Sequence, residues 1–178
     1  AQALAAELCE QNKLRQNEEN KKLEQTLTRL RREYNPLEDK IIVLAGEGWH
    51  QGVIGIVCSR LCDRYGCPVV LISVDEDGVG KGSGRSIGSF NLFEALTSCE
   101  DLFERYGGHA LAAGLTVQAD RIEELRTRLR KYAETHVTMA ELVPQLHIDC
   151  MVQSEWLTQE NIESLSVLEP YGMKNAEP

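Results

Sequence analysis

Ile41-Ile42-Val43-Leu44-Ala45, Gly46-Glu47-Gly48-Trp49-His50-Gln51-Gly52, Val53 to Tyr65 and Pro68 to Val74, taken in that order, decide the fold. The first five residues are all apolar, the pattern of a strand buried on both faces. The glycine-rich segment turns the chain, and the apolar residues from Val53 to Tyr65 recur at helical spacing. Pro68 to Val74 is a second apolar strand. Further along, Asp75-Glu76-Asp77-Gly78 is a turn and Val79 to Ser86 a glycine-rich strand. Asn91 to Tyr106 reads as helix, in one piece or two, and Ala110 to Val117 as strand. Asp120 is placed to cap a last helix through Thr135, with Glu123 at the capping-box position. Strands alternating with helices predict an α/β domain over residues 38–138, a mixed β-sheet flanked by helices.

On the amino side, residues 1–34 read as one long helix, with 1–37 as a linker between domains. Leu4 and Leu8, then Leu23, Leu27, Leu30 and Tyr34, fall at spacings of three and four around a very polar middle. Such a helix bridges two bodies or lies along its own domain; the spacing allows both. Asn35-Pro36 stops it. On the carboxyl side the pattern changes from Glu141. Pro144 breaks the chain, Leu146 to Met151 reads as strand, Thr158 to Leu168 as a short helix, and Pro170 with Gly172 opens a turn. Residues 139–178 are too few for a domain of their own. The chain starts inside a helix and without Met, so it reads as a piece of a longer protein.

The 178 residues carry a net charge of −9. That sign excludes a surface that coats nucleic acid by charge alone; any polyanion contact must rest on a few placed cations. No run of about 18 apolar residues is present, so no membrane span is expected. Six cysteines occur without a Cys-x-x-Cys pair. They read as free, mostly buried thiols in a reducing cytoplasm rather than as a disulfide or metal framework.

Two segments carry the chemistry. Tyr106-Gly107-Gly108-His109-Ala110-Leu111-Ala112-Ala113-Gly114 leaves one imidazole among glycines and small apolar residues. Gly80-Lys81-Gly82-Ser83-Gly84-Arg85-Ser86 adds two cations and two hydroxyls. On a strand, Lys81, Ser83 and Arg85 share one face, and a guanidinium clamps phosphate with paired hydrogen bonds. Taken singly, the second segment also fits a solvated hairpin edge, and His109 a satisfied turn histidine. Taken together, Arg85, His109, Gly107, Gly108, Lys81 and Ser83 predict a phosphate site. The glycines at 46, 48, 52 and 55 do not match a dinucleotide fingerprint. A helix starting near Gly52 would still offer amides to an anion. His50, at that entrance, reads equally as a cap or as a substrate-facing group. Asp75 and Asp77 form the only close aspartate pair and read as a turn. No cluster of carboxylates and histidines suited to two metal ions exists, so the chain is expected to bind substrate without activating water.

Gly48 to Val57, Gly80 to Ser86 and Gly107 to Gly114, in that order, closely resemble the RecJ family, single-stranded-DNA-specific 5′→3′ exonucleases of the DHH phosphoesterase superfamily. The resemblance implies that residues 41–135 are the DHH-associated domain and that the first helix is the connector to a catalytic lobe. The tail, from Leu168-Glu169-Pro170-Tyr171-Gly172 to Asn175-Ala176-Glu177-Pro178, resembles the truncated start of an OB-fold domain; Lys174 and Ala176 depart from the family pattern there. The resemblance further implies that manganese or magnesium is bound by the DHH lobe, absent from this sequence, and that no metal binds within it. Arg85 and His109 would hold the phosphate or terminal nucleotide at the 5′ end of single-stranded DNA, with Lys81, Ser83 and His50 nearby. The expected setting is cytoplasmic repair and recombination, with no membrane, and the chain alone is expected to be inactive. Two alternatives remain: a phosphodiesterase of the same superfamily acting on short oligoribonucleotides or cyclic dinucleotides, and a non-catalytic interaction module.

Overall fold

The computed structural model describes residues 2–35, 38–143, 148–172 and 175. Contacts divide the chain into two units, Ala1–Pro144 and Gln145–Pro178. In the first, a five-stranded sheet runs in the order β1-β2-β3-β5-β4. Its strands are β1 (Ile42–Glu47), β2 (Val69–Val74), β3 (Val79–Arg85), β4 (Phe103–His109) and β5 (Ala112–Gln118). Only β1 and β2 are parallel, joined by α2 (Gln51–Tyr65); the other pairings are antiparallel. A mixed sheet flanked by helices is thus what the sequence predicts.

Local chemistry accounts for these elements. Five of the six residues of β2 are buried, which is why it reads as a continuous apolar run. In α2, Val53, Ile54, Val57, Cys58, Leu61 and Cys62 form one buried face, packed on β2 and β3. Gly66 ends that helix in the left-handed region at φ 63°, donating its N–H to the Cys62 carbonyl. On the opposite side of the sheet lie α3 (Leu92–Thr97) and α4 (Ile122–His136), whose buried Ile122, Leu125, Leu129 and Ala133 follow helical spacing.

The long helix α1 (Gln2–Glu33) packs on α2. Leu27 and Leu30 are buried, and Tyr34 meets Tyr65 edge-on at 5.4 Å. Its first two apolar residues, Leu4 and Leu8, are exposed. In the polar middle, Glu19 is buried and held by Arg15 at 2.9 Å and Arg60 at 2.7 Å, so this stretch is pinned to α2 by charge.

Four expectations are corrected. Asn91 to Tyr106 is not helical throughout: α3 stops at Thr97, a 3-10 turn covers Glu100–Leu102, and Phe103 begins β4. The apolar spacing at the end of this stretch comes from Tyr106 packing against both Phe93 and Phe103 on one face of the sheet, not from a continuous helix. Asp120 lies in a 3-10 turn, and the capping position before α4 is Arg121, which makes no side-chain cap bond; Glu123 pairs with Arg126 instead. A capping box does form, between Thr138 and Glu141. Ile148 to Met151 is not strand. Pro36, Pro144, Leu146, His147, Lys174 and Ala176 to Pro178 lie outside the described residues. In the second unit a short helix, Gln159–Ser164, continues as a 3-10 turn to Leu168.

Candidate phosphate-binding site

Register places the chemistry. Reading across β3, β5 and β4, Arg85 aligns with Ala112 and His109; Ser83 aligns with Gly114 and Gly107; Lys81 aligns with Thr116 and Arg105. Alternation along each strand puts all nine on one face of the sheet. The helix α2 packs over β2 and β3 on that side, and Lys81, Gly114, Arg105, Gly107 and His109 are all exposed. The result is an open shelf floored by the small residues of β5, with cations on β3 and β4.

Arg85 is the half-buried member. Its Nη1 donates to the Ser83 hydroxyl at 3.2 Å and to the Gly84 carbonyl at 2.7 Å. The guanidinium leans toward α2: a Cβ on Gly55 would lie 3.2 Å from its Nη2 and 3.1 Å from Ser83 Oγ. Gly55 therefore leaves the space that Arg85 and Ser83 occupy. His109, at the end of β4, accepts the Leu111 N–H on Nδ1 at 3.2 Å. It stands two strands from Arg85, about 10 Å between Cα atoms at the usual strand spacing. Both residues belong to the same sheet face, Arg85 half-buried against α2 and His109 exposed.

The glycines divide by role. Gly107 has open space where a Cβ would project, so it keeps the shelf clear. Gly108 points the other way: at φ +148°, a Cβ would fall 2.3 Å from the Ala112 carbonyl, so only glycine fits. The tight turn is not at these glycines but at Ala110 and Leu111, between β4 and β5. Gly82 and Gly84 do not cradle a ligand either. A Cβ on them would meet Leu115 at 2.8 Å and Leu92 at 2.7 Å, so they make room for the core beneath the sheet.

His50 is the N-cap of α2, its Nδ1 accepting the Gly52 N–H at 3.1 Å. Its carbonyl accepts from Val53 and Ile54. The amides expected to be free for an anion are therefore taken, and His50 belongs to none of the three rows. Arg105, Thr116 and Gly114 also belong to the face; the helical reading of Asn91 to Tyr106 hides Arg105, and the places of Thr116 and Gly114 depend on the pairing of β5. The alternation Arg105, Gly107, His109 was the signal available.

Cys58, on the face of α2 that covers β3, donates to the Ser83 carbonyl at 2.9 Å. Burial pushes its thiol up to about 12, and pushes Cys62 and Cys67 up to about 11. All six cysteines are free; four are buried, and Cys9 and Cys150 are exposed. A larger hollow of about 1000 Å³ opens at the carboxyl ends of β1 and β2, lined by Glu47, Asp75, Glu76 and Asp77 among others. Its sign repels phosphate. Among the described residues, no group of three or more His, Cys, Asp or Glu could hold a metal ion, and no helix is long and apolar enough to cross a membrane.

Residues 38–135 match the model of the DHHA1 domain family. The single-stranded-DNA-specific exonuclease RecJ of Bacillus subtilis is 39% identical over the whole chain, and that of Thermus thermophilus 35%. The RecJ of Escherichia coli is 32% identical over 73% of the chain. The chain spans only 22% to 25% of the length of these relatives. A crystal structure of RecJ in complex with Mg2+ from Thermus thermophilus superposes with a TM-score of 0.84 at 35% identity, over 99% of this chain and 27% of that one. A second from the same source, with Mn2+, gives 0.79 at 34% identity, over 99% and 25%.

Proposed function

Because this chain belongs to the DHHA1 domain family, we propose that it is the substrate-holding part of a RecJ-type exonuclease that degrades single-stranded DNA from the 5′ end. The shelf on β3, β5 and β4 holds the terminal phosphate, with Arg85 and His109 as its principal contacts. Ser83 orients Arg85, Lys81 adds charge, Gly107 keeps the approach open, and Gly108 sets the strand that carries His109. His50 acts at a remove, fixing the first turn of α2. Manganese or magnesium, which the relatives' structures hold, finds no ligand set among the described residues. In this reading, metal binding and bond cleavage belong to a separate DHH lobe, and this chain alone releases no nucleotides. The working environment is the cytoplasm.

The observation that carries this reading is the alignment of Arg85 and His109 in one row of one sheet face, inside a chain of net negative charge. A guanidinium and an imidazole so placed grip one phosphate and position the strand end, without coating the duplex.

The test is binding of a 5′-phosphorylated, fluorescently labelled single-stranded oligonucleotide against its 5′-hydroxyl counterpart. The unaltered chain should prefer the phosphorylated end. Arg85→Ala, which removes a charge-assisted contact of about 1.5–3 kcal/mol, should weaken it about 10- to 100-fold, and His109→Ala by less. Equal binding of both ends by the unaltered chain overturns the reading. So does release of nucleotides by this chain with Mn2+.

A further inference from the structure

The shelf extends past Arg85 and His109, the principal contacts of the terminal phosphate, to the row that contains Lys81. Its third row is Lys81, Thr116 and Arg105: a cation, a hydroxyl and a cation. Lys81 and Arg105 are exposed, and neither makes an ion pair or hydrogen bond among the described residues. By contrast, Arg126 and Arg128 on α4 are tied to Glu123 and Asp101. Together with Gly114 and Thr116, the two unengaged cations line a shallow open depression of about 290 Å³.

Strand geometry sets the spacing. Lys81 and Arg105 flank β5, about 10 Å apart at Cα, so their long side chains reach one group seated over Thr116. Along β3 the third row lies four residues from the first, about 13 Å away, with the cation-free row of Ser83, Gly114 and Gly107 midway. Half that interval, about 7 Å, is close to the step between successive phosphates in an extended single strand. We infer that Lys81, Thr116 and Arg105 form a second phosphate subsite, taking the phosphodiester two steps along from the phosphate held at Arg85 and His109. The strand then lies along β5, its middle phosphate over the glycine row. Beyond Thr116, Gln118 donates to the carboxylate of Glu104, and that negative charge closes the track at three phosphates. This inference rests on the first row being the terminal-phosphate site.

The test titrates 5′-phosphorylated thymidine di-, tri- and tetranucleotides into the 178-residue chain. The dinucleotide carries two phosphates and reaches only the first two rows; the trinucleotide reaches the third. The unaltered chain should gain about tenfold from di- to trinucleotide and little from tri- to tetranucleotide. Arg105→Ala and Lys81→Ala should each erase most of that gain, Lys81→Arg should retain it, and a neutral methylphosphonate at the second linkage should erase it in the unaltered chain. Each alanine should lower the salt slope of trinucleotide binding by about 0.7, the value for one contact on a single strand. A gain that survives both substitutions, or survives the methylphosphonate, overturns the second subsite. The dinucleotide separates the two readings. If Arg85→Ala weakens it, the first row stands whatever the trinucleotide does; if Arg85→Ala binds it unchanged, or the unaltered chain does not bind it, the first row falls and the second with it.

Discussion

Arg85 owes its position to a residue with no side chain. Gly55 on α2 leaves the gap into which the guanidinium and the Ser83 hydroxyl fit, and Cys58, on the same helix, holds the Ser83 carbonyl. The buried thiols serve as packing, and burial keeps them protonated at neutral pH. A thiol reagent at pH 8 should therefore label two cysteines per native chain, Cys9 and Cys150, and six after denaturation; rapid native labelling of Cys58 would contradict the packing. Gly108 is the second residue whose identity is dictated by contact. Its hypothetical Cβ meets the Ala112 backbone, which cannot swing aside as a side chain can. Gly108→Ala should cost about 2 kcal/mol or more in urea unfolding, whereas Gly107→Ala, with open space above it, should cost far less. Sequence alone put both glycines in the same role. The difference was invisible there because it depends on which face of β4 each occupies, and that depends on a register fixed by β5.

At the scale of elements, β4 is the piece that had to be found in the structure. Phe103 and Tyr106 are three apart, as in a helix turn, but an irregularity between Phe103 and Arg105 puts both aromatics on the same side of the sheet. Period-two alternation resumes only at Arg105. What seats the start of β4 is the 3-10 turn before it, where Arg128 of α4 grips Asp101 through two 2.8 Å bonds and also the Ser98 carbonyl. Hydrogen bonds from Arg128 hold the Asp101 carboxyl below its ordinary value. A depressed folded-state value stabilises the fold above the unfolded carboxylate value, near pH 4. That contribution is lost as pH falls through the lower, folded value. Asp101→Asn should therefore flatten the decline of stability below about pH 4, measured by thermal unfolding across an acid series; an unchanged profile would show that the pair does not couple to folding. The helix α1 was better advertised. Its second apolar stripe docks as the spacing predicts, and Leu30→Ala should cost about 2–5 kcal/mol and raise hydrogen exchange in the last turns of α1. The buried Glu19 gave no such warning, because its partner Arg60 lies 41 positions away, on α2.

At the scale of the first unit, Glu47, Asp75, Glu76 and Asp77 gather at one hollow, while Lys81, Arg85, Arg105 and His109 share the shelf face. The α/β architecture was legible because β1, α2 and β2 announce themselves by unbroken apolar runs and helical spacing. Arg85, Ser83, Lys81 and His109 were legible as candidates by residue type. Their arrangement in rows was not, since pairing order β3-β5-β4 is a tertiary fact, and Arg105 and Thr116 enter the face only through it. Backbone amide chemical shifts, followed while a 5′-phosphorylated trinucleotide of single-stranded DNA is added, test the assignment of the shelf most directly. The largest changes should fall on residues 81–85, 105–109 and 112–116. Changes confined to α3 and α4, or to the acidic hollow at the carboxyl ends of β1 and β2, would contradict it.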